Sequence, residues 1–179
     1  MNKFNDIIIM ALEAEAPHMA KWDNVFFTGV GKINAALTAA KLIERYDPKR
    51  VWNFGTAGGI LLNSGCHEMK NFVERDKGEC PPAIEVMLPK DPITISLGIG
   101  HTCSTGDNFV TDPDLKHPAH VVDMEAFAIA KACVQQGVDF RCYKYVSDSA
   151  DDSADSSWLA NVAKGETHFI KIYETFKNG

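Results

Sequence analysis

Four short apolar runs in the 179-residue chain each end in a carboxylate or a cluster of glycines. Val121-Val122 runs into Asp123-Met124-Glu125, and Ile7-Ile8-Ile9 leads to Glu13 and Glu15. Val51-Trp52-Asn53-Phe54 runs into Gly55-Thr56-Ala57-Gly58-Gly59, and Tyr143-Lys144-Tyr145-Val146 into Ser147-Asp148. If these runs are parallel strands of one sheet, their ends converge, because α/β folds bind ligands beyond the carboxyl ends of their strands. Carboxylates gathered there can move protons or accept hydrogen bonds from hydroxyls. Each acid also has a plainer role. In the first turn of a helix it complements the helix dipole, which explains Asp123 or Glu125 singly as well as chemistry does. Glu13 and Glu15 can be a solvated helix start, and Asp148 with Asp151, Asp152 and Asp155 a polar loop. Gly55 to Gly59 is either a tight turn or a place where backbone approaches a ligand closely.

The elements that must position these groups follow from periodicity. Ile33, Ala36, Leu37, Ala40 and Ile43 recur at three- and four-residue steps between Lys32 and Tyr46, which predicts a helix ending before Asp47-Pro48. Met124 to Gln136 reads the same way, with Gly137 as a left-handed stop. A third helical stretch starts at Ser156, with Leu159, Val162 and Ala163 on one face and Phe169, Ile170, Tyr173 and Phe176 continuing it. Strands are expected over Asp6 to Leu12, Val25 to Thr28, Arg50 to Phe54, Ile84 to Leu88, Ile93 to Leu97, Val121 to Asp123 and Phe140 to Val146. Residues 62 to 92 collect glycines, prolines and charges and read as loop and edge strand. The expected fold class is α/β. It is a single domain over 1–179 in three layers, with a central mixed, largely parallel twisted sheet flanked by helices.

Composition narrows the function. The 45% hydrophobic and 23% charged content is that of an ordinary globular protein, and a net charge of −6 with dispersed lysines argues against nucleic acid and anionic membrane surfaces as partners. A small-molecule ligand is expected instead. The start of the chain lacks a signal-peptide pattern, and no apolar run approaches membrane-spanning length, which points to the cytoplasm. The five cysteines are widely spaced, without Cys-x-x-Cys pairs, and the six histidines show no catalytic spacing. No metal and no cofactor is expected.

Met10-Ala11-Leu12-Glu13-Ala14-Glu15, Gly29-Val30-Gly31-Lys32, Gly55-Thr56-Ala57-Gly58-Gly59, Thr105-Gly106-Asp107-Asn108-Phe109, Val122-Asp123-Met124-Glu125-Ala126 and Val146-Ser147-Asp148 stand in a telling order. In that order they resemble the nucleoside phosphorylase superfamily, most of all its 5′-methylthioadenosine/S-adenosylhomocysteine nucleosidase branch. The resemblance implies a hydrolase that cleaves the N-glycosidic bond of a nucleoside and releases adenine, acting as a homodimer. Glu15 would match the acid that deprotonates the attacking water, with Thr56 and Lys144 near that water. Asp148 would match the acid that protonates N7 of the leaving base. Met124 and Glu125 would hold the ribose, Phe109 and Val110 would flank the purine, and Trp158 would close the pocket. Ala57, Gly58 and Ser147 complete the expected substrate-binding set. Lys144 stands where the family usually has arginine, which keeps the cation and loses the planar fork. The chain is shorter than typical members, between Trp22 and Val25 and between Leu62 and Ile99. Near the first glycine loop only Lys21 and Lys32 offer a cation for phosphate, so water is favoured as nucleophile. A phosphate-dependent phosphorylase and a non-catalytic nucleoside-binding or storage protein are the alternatives.

Overall fold

Ile7, Ile8, Ile9 and Met10 are inaccessible to solvent, so the first strand, β1 (Asp6–Met10), lies in a sheet covered on both faces. The computed structural model describes residues 4–78, 94–111 and 118–177. Side chains alternate between faces along a strand, and β1 divides accordingly. Ile7 and Ile9 enter a core shared with helices α1 (Lys32–Tyr46) and α2 (Ala126–Gln136). Ile8 and Met10 enter a second core with Ala16, Met19 and Phe169, the last carried by helix α4 (Glu166–Phe176).

The remaining strands are β2 (Val25–Phe27), β3 (Arg50–Gly59), β4 (Cys66–Glu74), β5 (Thr94–Ser96), β6 (His101–Thr105), β7 (Val121–Asp123) and β8 (Asp139–Asp148). A short helix, α3 (Ala154–Asn161), separates β8 from α4. Strand β3 pairs with β1, β7 and β8, and β4 pairs with β6 and β8, so β3, β7, β6, β4 and β8 close into a five-stranded ring. Closure satisfies the backbone groups that open edges would expose. It also corrects the expectation of a largely parallel sheet: of the eight pairings among the described residues, β3–β7, β4–β5 and β4–β8 are antiparallel. The ring closes only because β4 runs opposite to β8 and β7 opposite to β3, which no single strand's composition encodes.

Convergence of the four runs survives this correction. β1, β3 and β8 run parallel, and β3 is long enough that Gly58 pairs with both Val122 and Asp148. β7 therefore delivers its acids to the same rim from the opposite direction. Strand β4 falls in the stretch read as loop and edge strand, without an assigned strand, and β6 falls where no element was expected. In β4 only Met69, Phe72 and Val73 are buried, and β6 is His-Thr-Cys-Ser-Thr, so neither carries an apolar run for periodicity to find. The strand expected at 84–88 lies outside the described residues.

The helices start and stop much as periodicity predicts, with differences in detail. α1 has the expected bounds, but its buried residues are Ala35, Ala39, Leu42 and Ile43, while Ile33 and Leu37 are 72% and 68% exposed. Small residues face inward because α1 lies against α2, itself buried through Ala126, Ala128, Ala130 and Ala132. The third helical stretch is two helices, interrupted at 162–165, with Ser156 inside α3 rather than capping it. Among the described residues no helix is long and apolar enough to cross a membrane. No group of side chains there has the geometry to hold a metal ion.

Candidate active site

A cavity of about 300 Å³ opens at the rim where β1, β3, β7 and β8 end. Glu15, Glu125 and Asp148, far apart in sequence, all line it. So do Thr56, Ala57, Gly58, Phe109, Val110, Met124, Ser147 and Trp158. Of the candidate residues only Lys144 lies off the wall.

Glu15 ends the single helical turn that follows β1, and the two glutamates of that turn separate: Glu13 is exposed, Glu15 is 4% exposed. Four donors converge on its carboxylate. The Ala11 and Leu12 backbone N–H groups reach Oε2 at 3.2 and 3.1 Å. The Thr56 N–H and hydroxyl reach Oε1 at 2.7 and 2.9 Å. The Thr56 oxygen in turn accepts the indole N–H of Trp158 at 3.0 Å. Gly55 permits this packing, since a Cβ there would lie 3.1 Å from Glu15 Oε1 and 3.3 Å from Lys144 Nζ.

Asp123 and Glu125, two residues apart, take different tasks. Asp123 Oδ2 accepts the Ala126 N–H at 2.8 Å and so caps α2, while Oδ1 accepts the Thr105 hydroxyl at 2.6 Å. It also pairs with Lys144 at 2.8 Å, both side chains being almost wholly enclosed. Burial alone would raise the Asp123 carboxyl and lower the Lys144 ammonium. Burial is the largest single influence on each, but their mutual attraction together with the Thr105 and Ala126 hydrogen bonds to Asp123 and the other acidic groups around Lys144 outweighs it, holding Asp123 below its ordinary value and Lys144 well above its own. Glu125 turns toward the cavity, where its Oε1 accepts the Gly31 N–H at 2.9 Å. Burial first, and then the Asp123 charge, push its carboxyl up to about 7.

Asp148 is 9% exposed, with Oδ2 accepting the Ser147 hydroxyl at 2.8 Å and Oδ1 the Ala150 N–H at 3.0 Å. Ala150 adopts a left-handed φ of 50°, the bend that brings its N–H back onto the carboxylate. Gly58 faces the same group: a Cβ there would stand 2.8 Å from Asp148 Oδ1. At the mouth Phe109 is 46% exposed and Val30 43%.

Arg75 also lines the wall. Its guanidinium donates to four carbonyls, those of Ser104, Asp123, Gly106 and Asn108, and so clamps the segment that leads to Phe109. A Cβ on Gly106 would fall 2.8 Å from Arg75 Cζ, so glycine is needed for the clamp to close. Lys32, at the start of α1, donates to Glu74 at 2.8 Å and Asp76 at 2.5 Å, and its own N–H donates to Asp107 at 2.7 Å. Alternating charges in Glu74-Arg75-Asp76 directly after the apolar Phe72-Val73 were the available signal for both networks.

The phosphorylase superfamily model matches residues 24–69. The 5′-methylthioadenosine/S-adenosylhomocysteine nucleosidase of Bacillus thuringiensis is 30% identical over 84% of this chain and 80% of its own length. The chain belongs to that nucleosidase family. Solved structures agree at the level of fold. The S-adenosylhomocysteine nucleosidase of Streptococcus pyogenes, in complex with 5-methylthiotubericidin, superposes with a TM-score of 0.80 at 20% identity, covering 98% of this chain and 97% of that one. A Helicobacter pylori nucleosidase mutant with 5′-methylthioadenosine in its active site superposes at 0.76 and 18% identity, over 90% of this chain and 93% of that one. The Streptococcus pyogenes superposition spans nearly the whole of this chain, so the ring of β3, β7, β6, β4 and β8 belongs to the shared fold.

Proposed function

We infer that this chain is a purine nucleosidase that hydrolyses the N-glycosidic bond of 5′-methylthioadenosine- and S-adenosylhomocysteine-type nucleosides and releases adenine. The observation that carries the reading is the meeting of Glu15, Glu125 and Asp148 on one cavity of nucleoside size, in a chain of this family. Breaking the bond leaves positive charge on the ribosyl ring and negative charge on the base, so a proton donor is wanted at the base and carboxylates at the sugar. Asp148 is the donor to N7, steadied by Ser147 and Ala150. Glu15 takes the proton of the attacking water. Its four donors fix the carboxylate without help from substrate, the kind of preorganisation that positions a nucleophile. Glu125 accepts the ribose hydroxyls with Met124 beside it, and Phe109 and Val110 flank the purine. Thr56, Ala57, Gly58 and Trp158 complete the wall. Lys144 acts from beneath, holding Asp123 and, through it, the start of α2.

Water is the nucleophile. Among the described residues the cations near the cavity are each committed: Lys32 to Glu74 and Asp76, Lys144 to Asp123, and Arg75 to four carbonyls. A phosphate dianion would need at least one of them released. The chain works as one domain, in the cytoplasm, as a homodimer. The exposed Ile33 and Leu37 on α1, with Val30 at the cavity mouth, support an apolar face for a twofold partner.

Incubation with 5′-methylthioadenosine, S-adenosylhomocysteine, adenosine and inosine, with and without phosphate, tests the reading through release of free base. Adenine released without phosphate is expected. Release only with phosphate would make the chain a phosphorylase, and none from any substrate would make it a binding protein.

A further inference from the structure

We propose that Trp158 is a positioning residue for hydrolysis, acting through its indole N–H on Thr56 to hold Glu15. The inference rests on the nucleosidase reading above.

A hydroxyl has one proton to give. Thr56 Oγ1 lies between Trp158 Nε1 at 3.0 Å and Glu15 Oε1 at 2.9 Å. An indole nitrogen only donates and a carboxylate oxygen only accepts, so the direction of both bonds is fixed: Trp158 donates to Thr56, and Thr56 donates to Glu15. Without the indole, the threonine oxygen would have no donor in this set, and its hydroxyl would be free to turn away from the carboxylate. With it, the chain of two bonds is polarised in one sense, each strengthening the other in a water-poor wall. A phenylalanine would fill the same place and close the cavity equally well, but it would leave Thr56 unoriented.

The anchorage matters because α3, which carries Trp158, has little else to hold it. Ala154 is its only buried residue, and Leu159 is 64% exposed. Two side-chain hydrogen bonds seat the helix on the ring: Trp158 to Thr56 on β3, and Asn161 Nδ2 to the Ser147 carbonyl on β8 at 2.7 Å. One of them touches the partner of Glu15, and the other the residue beside Asp148. The seat of α3 is thereby read at both acids, with the Trp158 bond as the link to the water side.

Trp158→Phe should lower kcat about three- to tenfold, the worth of one hydrogen bond, with KM changed less than twofold. In a Thr56→Val background the same substitution should have no further effect. A rise in KM with kcat intact would mean that the ring merely lines the pocket and would overturn the proposal. So would equal effects of Trp158→Phe with and without the Thr56 hydroxyl. A readout that needs no turnover is the carboxyl-carbon resonance of Glu15, assigned through Glu15→Gln. It should move in Trp158→Phe, and an unmoved signal refutes the coupling. If Trp158→Phe does not fold, the wild-type indole N–H resonance of Trp158 should shift in Thr56→Val, and its indifference would refute the bond itself. Absence of adenine release from the wild type would defeat the nucleosidase reading, while these resonances would still test the link.

Discussion

Lowering the pH from 8 to 5 should loosen the hold on the ribose. Glu125 is 7% exposed and keeps one oxygen on the Gly31 N–H, while burial and the neighbouring Asp123 charge push its carboxyl up to about 7. Ribose hydroxyls can donate to the carboxylate with both oxygens accepting only in the ionised form, since protonation turns one oxygen into a donor. About a tenth of the population is ionised at pH 6 and about a hundredth at pH 5. The Kd for a non-hydrolysable adenosine analogue should therefore rise about tenfold for each pH step below 7, and level off above about pH 8. Binding at pH 6 should release close to one proton, counted by calorimetry in two buffers of different ionisation enthalpy. The sign for stability follows from the same shift. The folded protein holds the Glu125 proton more tightly than the unfolded chain, whose value is near 4.5. The stabilisation is complete below that value and is lost as pH rises to about 7, a change on the order of 3 kcal/mol for this group. In Glu125→Gln the Kd should be weak and independent of pH. A wild-type Kd constant within about twofold from pH 5 to pH 8 would refute the assignment of Glu125 to the ribose.

Lys144→Met should destabilise the fold by about 3–5 kcal/mol in urea denaturation, because Asp123 would remain buried without its cation, and adding Asp123→Asn should return part of that loss. Gly58→Ala should abolish adenine release by driving a methyl group into Asp148 Oδ1, 2.8 Å away, with Val122 at 3.0 Å preventing retreat. Circular dichroism would check that this variant is folded. Asp148→Asn should stop turnover while leaving binding of a nucleoside analogue within a few-fold, and normal turnover would remove Asp148 from the reaction.

The sequence by itself carried the motifs and the elements whose burial is periodic. α1, β7 and the run into Glu15 were legible because local apolar spacing and chain punctuation specify them without a partner. The six motifs in order were enough to indicate the family, and with it the acids at 15, 125 and 148. Tertiary structure alone decided the rest. β4 and β6 are strands because the ring supplies backbone partners for polar residues that have no preference of their own, as the half-buried His67, Glu68 and Lys70 illustrate. The burial of α1 on Ala35 and Ala39 rather than on Ile33 and Leu37 was set by how near α2 approaches. The separation of Asp123, a cap and ion-pair partner, from Glu125, a cavity acid, depended on Lys144 arriving from β8, twenty-one residues beyond Asp123 in sequence. Spacing records which side chains share an element. Which carboxylate meets a cation, and which is left facing a cavity, is fixed only when strands distant in sequence are brought side by side.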